Sequence, residues 1–154
     1  MDFYLVRHGE ALPEAADPRR PLSRLGETQV ERVAQSAVAR KARVSAILHS
    51  GILRAQQTAE IIARCLLPPA GVRRITGLLP EDDPAIAAAE LAAAPESIML
   101  VGHLPHMNRL AALLIKGDPD REAVKFAPAT LLCVSREATR WTPRWTFDPE
   151  FAEA

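Results

Sequence analysis

Apolar positions along this chain fall into short unbroken runs separated by longer stretches with helical spacing. That alternation predicts strands buried on both faces with amphipathic helices between them. Phe3 to Val6, largely β-branched and aromatic, is the first run, and it stops at Arg7-His8-Gly9. Ser23 stands as an N-cap before a helix reaching to about Lys41, with Leu25, Val30, Val33, Ala34 and Val38 near one face. Val44 to Leu48 predicts a second buried strand ending at His49-Ser50-Gly51. In the helix that follows, Leu53, Gln57 and Ile61 share one line, with Ala55, Ala59 and Ile62 beside it. Pro68 and Pro69 end that helix, and Val72 to Ile75 predicts a short third strand. Asp83 before Pro84 is an entry signal for a helix to about Ala94. Ser97 to Val101 predicts the next buried strand, which stops at Gly102-His103. A helix over His106 to Ile115 follows, with Met107, Leu110, Ala111 and Leu114 inward. Ala129 to Ser135 and Trp141 to Phe147 then predict an antiparallel hairpin at one side of the sheet, with Pro143 marking an edge strand.

Polar residues recur where these strands end. Arg7-His8-Gly9 follows the first, His49-Ser50 the second with Arg54 in the next helix's first turn, and Gly102-His103 the fourth. In a parallel-rich sheet those ends share one edge, the edge where α/β proteins bind ligands. A cation in a helix's first turn is unfavourable unless an anion sits against the same dipole, so Arg54 itself points to a phosphate. Two guanidinium forks match phosphate oxygens in pairs and stay charged. A histidine between them, with an ordinary pKa of about 6.5, can be neutral and nucleophilic. The combination suits covalent phosphoryl transfer through phosphohistidine. Arg19, Arg20 and Arg24 are placed to flank such a site, and the proline-punctuated loop from Leu12 to Pro21 is long enough to lie across it. His49 reads as a strand-end polar cap, His106 as a helix-face residue, and the carboxylates Glu81, Asp82 and Asp83 first of all as helix-start chemistry.

Bulk properties narrow the setting. The 154 residues, 48% hydrophobic and 25% charged, suit one globular domain spanning 1–154 with no metal or disulfide needed to hold it. Nineteen acidic residues balance nineteen basic ones, which argues against a broad nucleic-acid or acidic-membrane surface, so any anion site is local. Cys65 and Cys133 form no ligand cluster and read as two free, buried thiols in a reducing compartment. With no apolar run of membrane-spanning length and Asp2 where a signal peptide would carry positive charge, the expected location is the cytoplasm.

Arg7-His8-Gly9-Glu10, Ser50-Gly51-Ile52-Leu53-Arg54-Ala55-Gln56-Gln57-Thr58 and Gly102-His103-Leu104-Pro105 resemble the three signatures of the histidine phosphatase superfamily. The Pro21-Leu22-Ser23-x-x-Gly26-x-x-Gln29 stretch and the small size resemble its compact SixA-type phosphohistidine phosphatase branch. The likeness runs to about Pro149, with Gly51 standing where the branch often has proline. It implies a phosphoglycerate-mutase-like, three-layer α/β fold with a mixed, mostly parallel sheet and helices on both faces. It also implies that His8 is the nucleophile, its other ring nitrogen oriented by backbone. Arg7 and Arg54 would bind phosphoryl oxygens, His103 would complete the ring of positive charge in protonated form, and Gly9 and Ser50 would adjoin the substrate. No cofactor or metal is expected, and the protein is expected to act as a monomer on a phosphorylated substrate, such as a protein domain bearing phosphohistidine. A general acid, if one exists, would be Glu81 or Asp82. Either one reaching the leaving oxygen would favour small phosphate esters or anhydrides as substrates instead. A reading of another class is a phosphate-binding or interaction module without turnover.

Overall fold

The computed structural model describes residues 1–150. Six strands form one sheet: β1 (Asp2–Arg7), β2 (Ala46–His49), β3 (Val72–Arg74), β4 (Ile98–Gly102), β5 (Leu131–Glu137) and β6 (Arg140–Phe147). Their spatial order is β3-β2-β4-β1-β5-β6. The first four in that order run parallel, while β5 is antiparallel to both β1 and β6, giving the mixed sheet and C-terminal hairpin expected. β6, which carries Pro143, is an edge strand.

Alternation along the strands divides the core in two. Tyr4, Val6, Ile47, Met99 and Val101 point to one face, where α1 (Arg24–Ala39) covers them with Val30, Val33, Ala34 and Ala37, and α2 (Leu53–Leu66) with Ala55, Ala59 and Ile62. Phe3, Leu5, Leu48 and Leu100 point to the other, packing on Ala87 and Leu91 of α3 (Pro84–Ala93) and on Met107, Leu110 and Ala111 of α4 (His106–Lys116). Each large side chain buried in this way stabilises the fold by about 1.5–3 kcal/mol. Among the described residues no helix is long and apolar enough to cross a membrane.

The helix starts follow the sequence signals. Ser23 Oγ accepts from Gly26 N at 3.0 Å, and Asp83 accepts from Ala85 N at 2.9 Å ahead of Pro84. Several inward faces differ from expectation. Leu25 and Val38 are exposed, because the face of α1 that meets the sheet is Gly26, Gln29, Val30, Val33, Ala34 and Ala37. Those positions keep the i, i+3, i+4, i+7 period, but two of them are not apolar. On α2 the buried line is Ala55, Thr58, Ala59 and Ile62, while Leu53, Gln57 and Ile61 are only half-buried. Cys65 lies on the outward side of α2 and is exposed, contrary to expectation, whereas Cys133 is buried in β5.

Candidate active site

β4 lies between β1 and β2 and is parallel to both, so three strand ends meet along one rim. Arg7 is in register with Gly102, and His49 with Val101, which brings His8, Ser50 and His103 into adjacent positions just past the sheet. The His8 and His103 rings are 5.1 Å apart, centroid to centroid, tilted by 53°. Backbone fixes the segment that carries His8: its N–H donates to Gly102 O at 3.0 Å and its carbonyl accepts from Ala129 N at 3.1 Å. Within the ring, Nδ1 lies 2.6 Å from Gly9 O and donates to it, which leaves Nε2 as the lone-pair nitrogen.

Gly9 serves close packing. A Cβ there would come within 2.8 Å of Gly26 O, and one on Gly26 would sit 2.0 Å from Glu10 O. The first turn of α1 therefore rests directly on the backbone after His8. Thr58 ties the same segment to α2: its Oγ1 accepts from Gly9 N at 3.2 Å and donates to Arg54 O at 2.8 Å. One buried hydroxyl thus sets the loop after His8 against the turn that holds Arg54. α2 begins without a side-chain cap or an acidic residue in its first turn, so Arg54 meets the positive end of the helix unopposed.

Arg7 Nη1 donates to Phe126 O at 2.8 Å. Arg7 Nε, Arg54 Nε and His103 Nδ1, all buried, have no hydrogen-bond partner among the described residues. A buried donor without an acceptor costs about 1–3 kcal/mol, more when charged. The two guanidinium donors, on residues grouped about one imidazole, fit an anion with several acceptor oxygens.

A family model described as the histidine phosphatase superfamily, branch 1, matches residues 3–74. Phosphohistidine phosphatase SixA of Escherichia coli strain K12 is 32% identical over 123 residues, covering 77% of this chain and 76% of that protein. The chain belongs to the histidine phosphatase superfamily. An uncharacterized protein of Picosynechococcus sp. is 37% identical over 125 residues, with 77% of this chain and 75% of that protein covered. A solved structure of the protein histidine phosphatase SixA complexed with tungstate matches with a TM-score of 0.84 at 29% identity, covering 97% of each chain.

Within this member of the histidine phosphatase superfamily, the electrostatics favour uncharged imidazoles. Burial pushes His8 down to about 4, helped by the positive charges of Arg54, Arg7 and Arg20 and opposed by the Gly9 carbonyl. Burial also pushes His103 down to about 3, with His8, Arg54, His106 and Arg7 acting in the same direction. Before an anion arrives the His103 ring is therefore held in its neutral form, whereas the sequence reading has it protonated around a bound phosphoryl group. Burial lowers Arg7 and Arg54 as well, yet a guanidinium remains charged.

Other expected residues sort cleanly. Arg20 lies close enough for its charge to act on both His8 and Arg54, whereas Arg19 is paired with Asp17 at 3.1 Å and Arg24 is exposed. The Leu12 to Pro21 loop closes on itself through Leu12 N to Pro21 O at 2.8 Å, the Ala11–Leu22 bridge and Arg20 Nε to Leu12 O at 3.1 Å. Its two ends are further held by Gln29 Oε1, which accepts from Glu10 N at 3.0 Å, and Gln57 Oε1, which accepts from Leu22 N at 2.8 Å.

The candidate acids have local roles beside α3 and α4. Asp82 accepts from Leu79 N at 2.9 Å and acts electrostatically on His106, Asp83 caps α3, and Glu81 is exposed. No carboxylate among the described residues figures in the shifts of His8 or His103. His49 fulfils its polar-cap role, its Nδ1 accepting from Gly51 N at 3.0 Å. Sequence reasoning gave Thr58 and Gln57 no part in holding the site. The available signal was a polar residue facing inward on an otherwise apolar helix face.

Proposed function

We propose that this protein is a phosphohistidine phosphatase that works through a transient phosphoryl group on His8. The observation that carries the reading is the neutral, backbone-oriented His8 ring grouped with the unpartnered buried Nε donors of Arg7 and Arg54 and the unpartnered Nδ1 of His103. The similarity to SixA supports the same substrate class.

The steps follow from the groups in place. Nε2 of His8 directs its lone pair at phosphorus while Nδ1–H stays bonded to Gly9 O, which stabilises positive charge as it develops on the ring. The new Nε2–P bond forms as the bond from phosphorus to the substrate's imidazole nitrogen breaks. Arg7 and Arg54 take up charge on the equatorial oxygens, so catalysis here is positioning plus electrostatics. A substrate imidazole protonated at its far nitrogen departs neutral and requires no acid from the protein. Water then attacks the phosphoenzyme, releasing inorganic phosphate and restoring His8. The fitting substrate is a phosphohistidine side chain on a protein domain, and the free thiols Cys65 and Cys133 suit the reducing cytoplasm.

The test is a substrate panel comparing phosphohistidine peptides with sugar, glycerol and aryl phosphates, combined with rapid quenching to trap acid-labile phosphate on the enzyme. Hydrolysis of phosphohistidine should dominate, with label trapped on wild type and absent from His8→Ala. Faster turnover of esters than of phosphohistidine, or equal rates from wild type and His8→Ala, would refute the proposal.

A further inference from the structure

Ser50 sits at the end of β2, beside the catalytic rim, and is almost fully buried. Its hydroxyl has two partners among the described residues: Ile52 N at 3.2 Å and His103 Nε2 at 2.6 Å. The amide of Ile52 can only donate, so it uses one lone pair on Oγ. If His103 also donated, through Nε2–H, the hydroxyl proton would be left buried with no acceptor. The arrangement that gives the Ser50 hydroxyl both an incoming donor and an acceptor for its own proton has Oγ–H donating into the lone pair of His103 Nε2.

From this geometry we infer that Ser50 is a positioning residue that locks His103 in the neutral Nδ1–H tautomer, turning the ring into an uncharged hydrogen-bond donor for the phosphoryl group. The proposal rests on the function proposed above for what the donor meets, but the tautomer stands on Ser50 alone. The consequence appears at Nδ1, the buried His103 nitrogen without a protein partner, which becomes an N–H alongside Arg7 Nε and Arg54 Nε. Ser50 therefore touches His103, and His103 touches the phosphoryl group.

The loop that holds Ser50 is braced to keep this register. His49 Nδ1 accepts from Gly51 N at 3.0 Å, and Gly51 takes a φ of +90°, a conformation open to glycine, so that Ile52 N turns back onto Ser50 Oγ. The hydroxyl is thereby pinned from one side and directed at His103 on the other.

Imidazole 1H–15N correlation spectra of the uniformly labelled protein at pH 7 test the tautomer without any variant, with His103→Gln used only to assign its signals. The expected result is a neutral His103 protonated at Nδ1. In Ser50→Ala the ring should lose that preference, and kcat on a phosphohistidine peptide should fall about tenfold, the scale of one hydrogen bond, with KM changed less than about twofold. Ser50→Thr keeps the hydroxyl and should recover both the tautomer and most of the rate. A wild-type ring protonated at Nε2, or at both nitrogens, overturns the inference, as does a Ser50→Ala protein whose His103 tautomer and kcat match wild type. An Nδ1–H ring in a protein inactive on every phosphohistidine substrate supports the Ser50 assignment and overturns the function proposed above.

Discussion

Acid should unfold this protein through the two buried imidazoles of its candidate site. Folding holds His8 at about 4 and His103 at about 3, while in the unfolded chain both return to the ordinary value near 6.5. Between those limits the unfolded state binds more protons than the native state, so stability falls as pH drops below 6.5 and stops falling only beneath the native values. Going from pH 7 to pH 5 takes an unfolded histidine from mostly neutral to almost fully protonated, while the native rings stay mostly uncharged. Each ring then contributes a loss of about 2 kcal/mol, or about 4 kcal/mol for the pair. That is a large share of the roughly 5–15 kcal/mol that keeps a domain folded. His49 and His106 are shifted the same way, chiefly by burial, and add to the loss. Urea unfolding followed by circular dichroism at both pH values measures the drop. His8→Gln and His103→Gln, which cannot titrate, should each recover part of the loss assigned to the pair, and because the rings lie 5.1 Å apart the two recoveries need not add. A wild-type stability that is flat over this interval, or a His103→Gln protein with the full wild-type drop, refutes the reasoning.

Other outcomes follow from single contacts. Gly26→Ala should destabilise the fold by about 3 kcal/mol or more in urea titrations and slow turnover, because the added methyl would lie 2.0 Å from Glu10 O and must push the His8 loop away from α1. Arg136→Ala should cost about 1–3 kcal/mol by thermal or urea denaturation with kcat unchanged, since Arg136 Nη1 bonds the Leu91, Ala92 and Ala94 carbonyls at the end of α3 and its guanidinium lies 4.8 Å from the centre of the Phe3 ring. Arg54→Lys keeps the charge but loses the fork, so inhibition by inorganic phosphate should weaken about tenfold; an unchanged inhibition constant would deny Arg54 a part in binding oxygens.

The strand ends that carry the site were readable because each is a short apolar run broken by Arg, His or Ser, and because parallel strands deliver such ends to one rim. Arg54 was readable from its conflict with the helix dipole. The scaffold behind these groups was less visible. Gln29 faces inward as the buried partner of Glu10 N, which a purely hydrophobic reading of α1 replaces with Leu25 or Val38. Thr58 sits in the same way on α2, between Gly9 and Arg54. Such residues break the apolar period at the places where the helix must satisfy a neighbouring loop's amide, and a single sequence does not mark which loop that is. The charge state of His103 was hidden for a related reason, since its depth and its cationic neighbours arise only when β1, β2 and β4 stand side by side.

The placement of β4 also makes the site depend on a distant part of the chain. β1 and β2 share no direct pairing, and each meets the site only through the strand wedged between them, which enters from nearly a hundred residues downstream of the N-terminus. The N-terminal half holds the nucleophile and both arginines, yet a nascent or truncated chain that stops before Ile98 would be inert. The three strand ends share one rim only with β4 in place, so an incompletely made chain carries the ingredients of the reaction without its geometry.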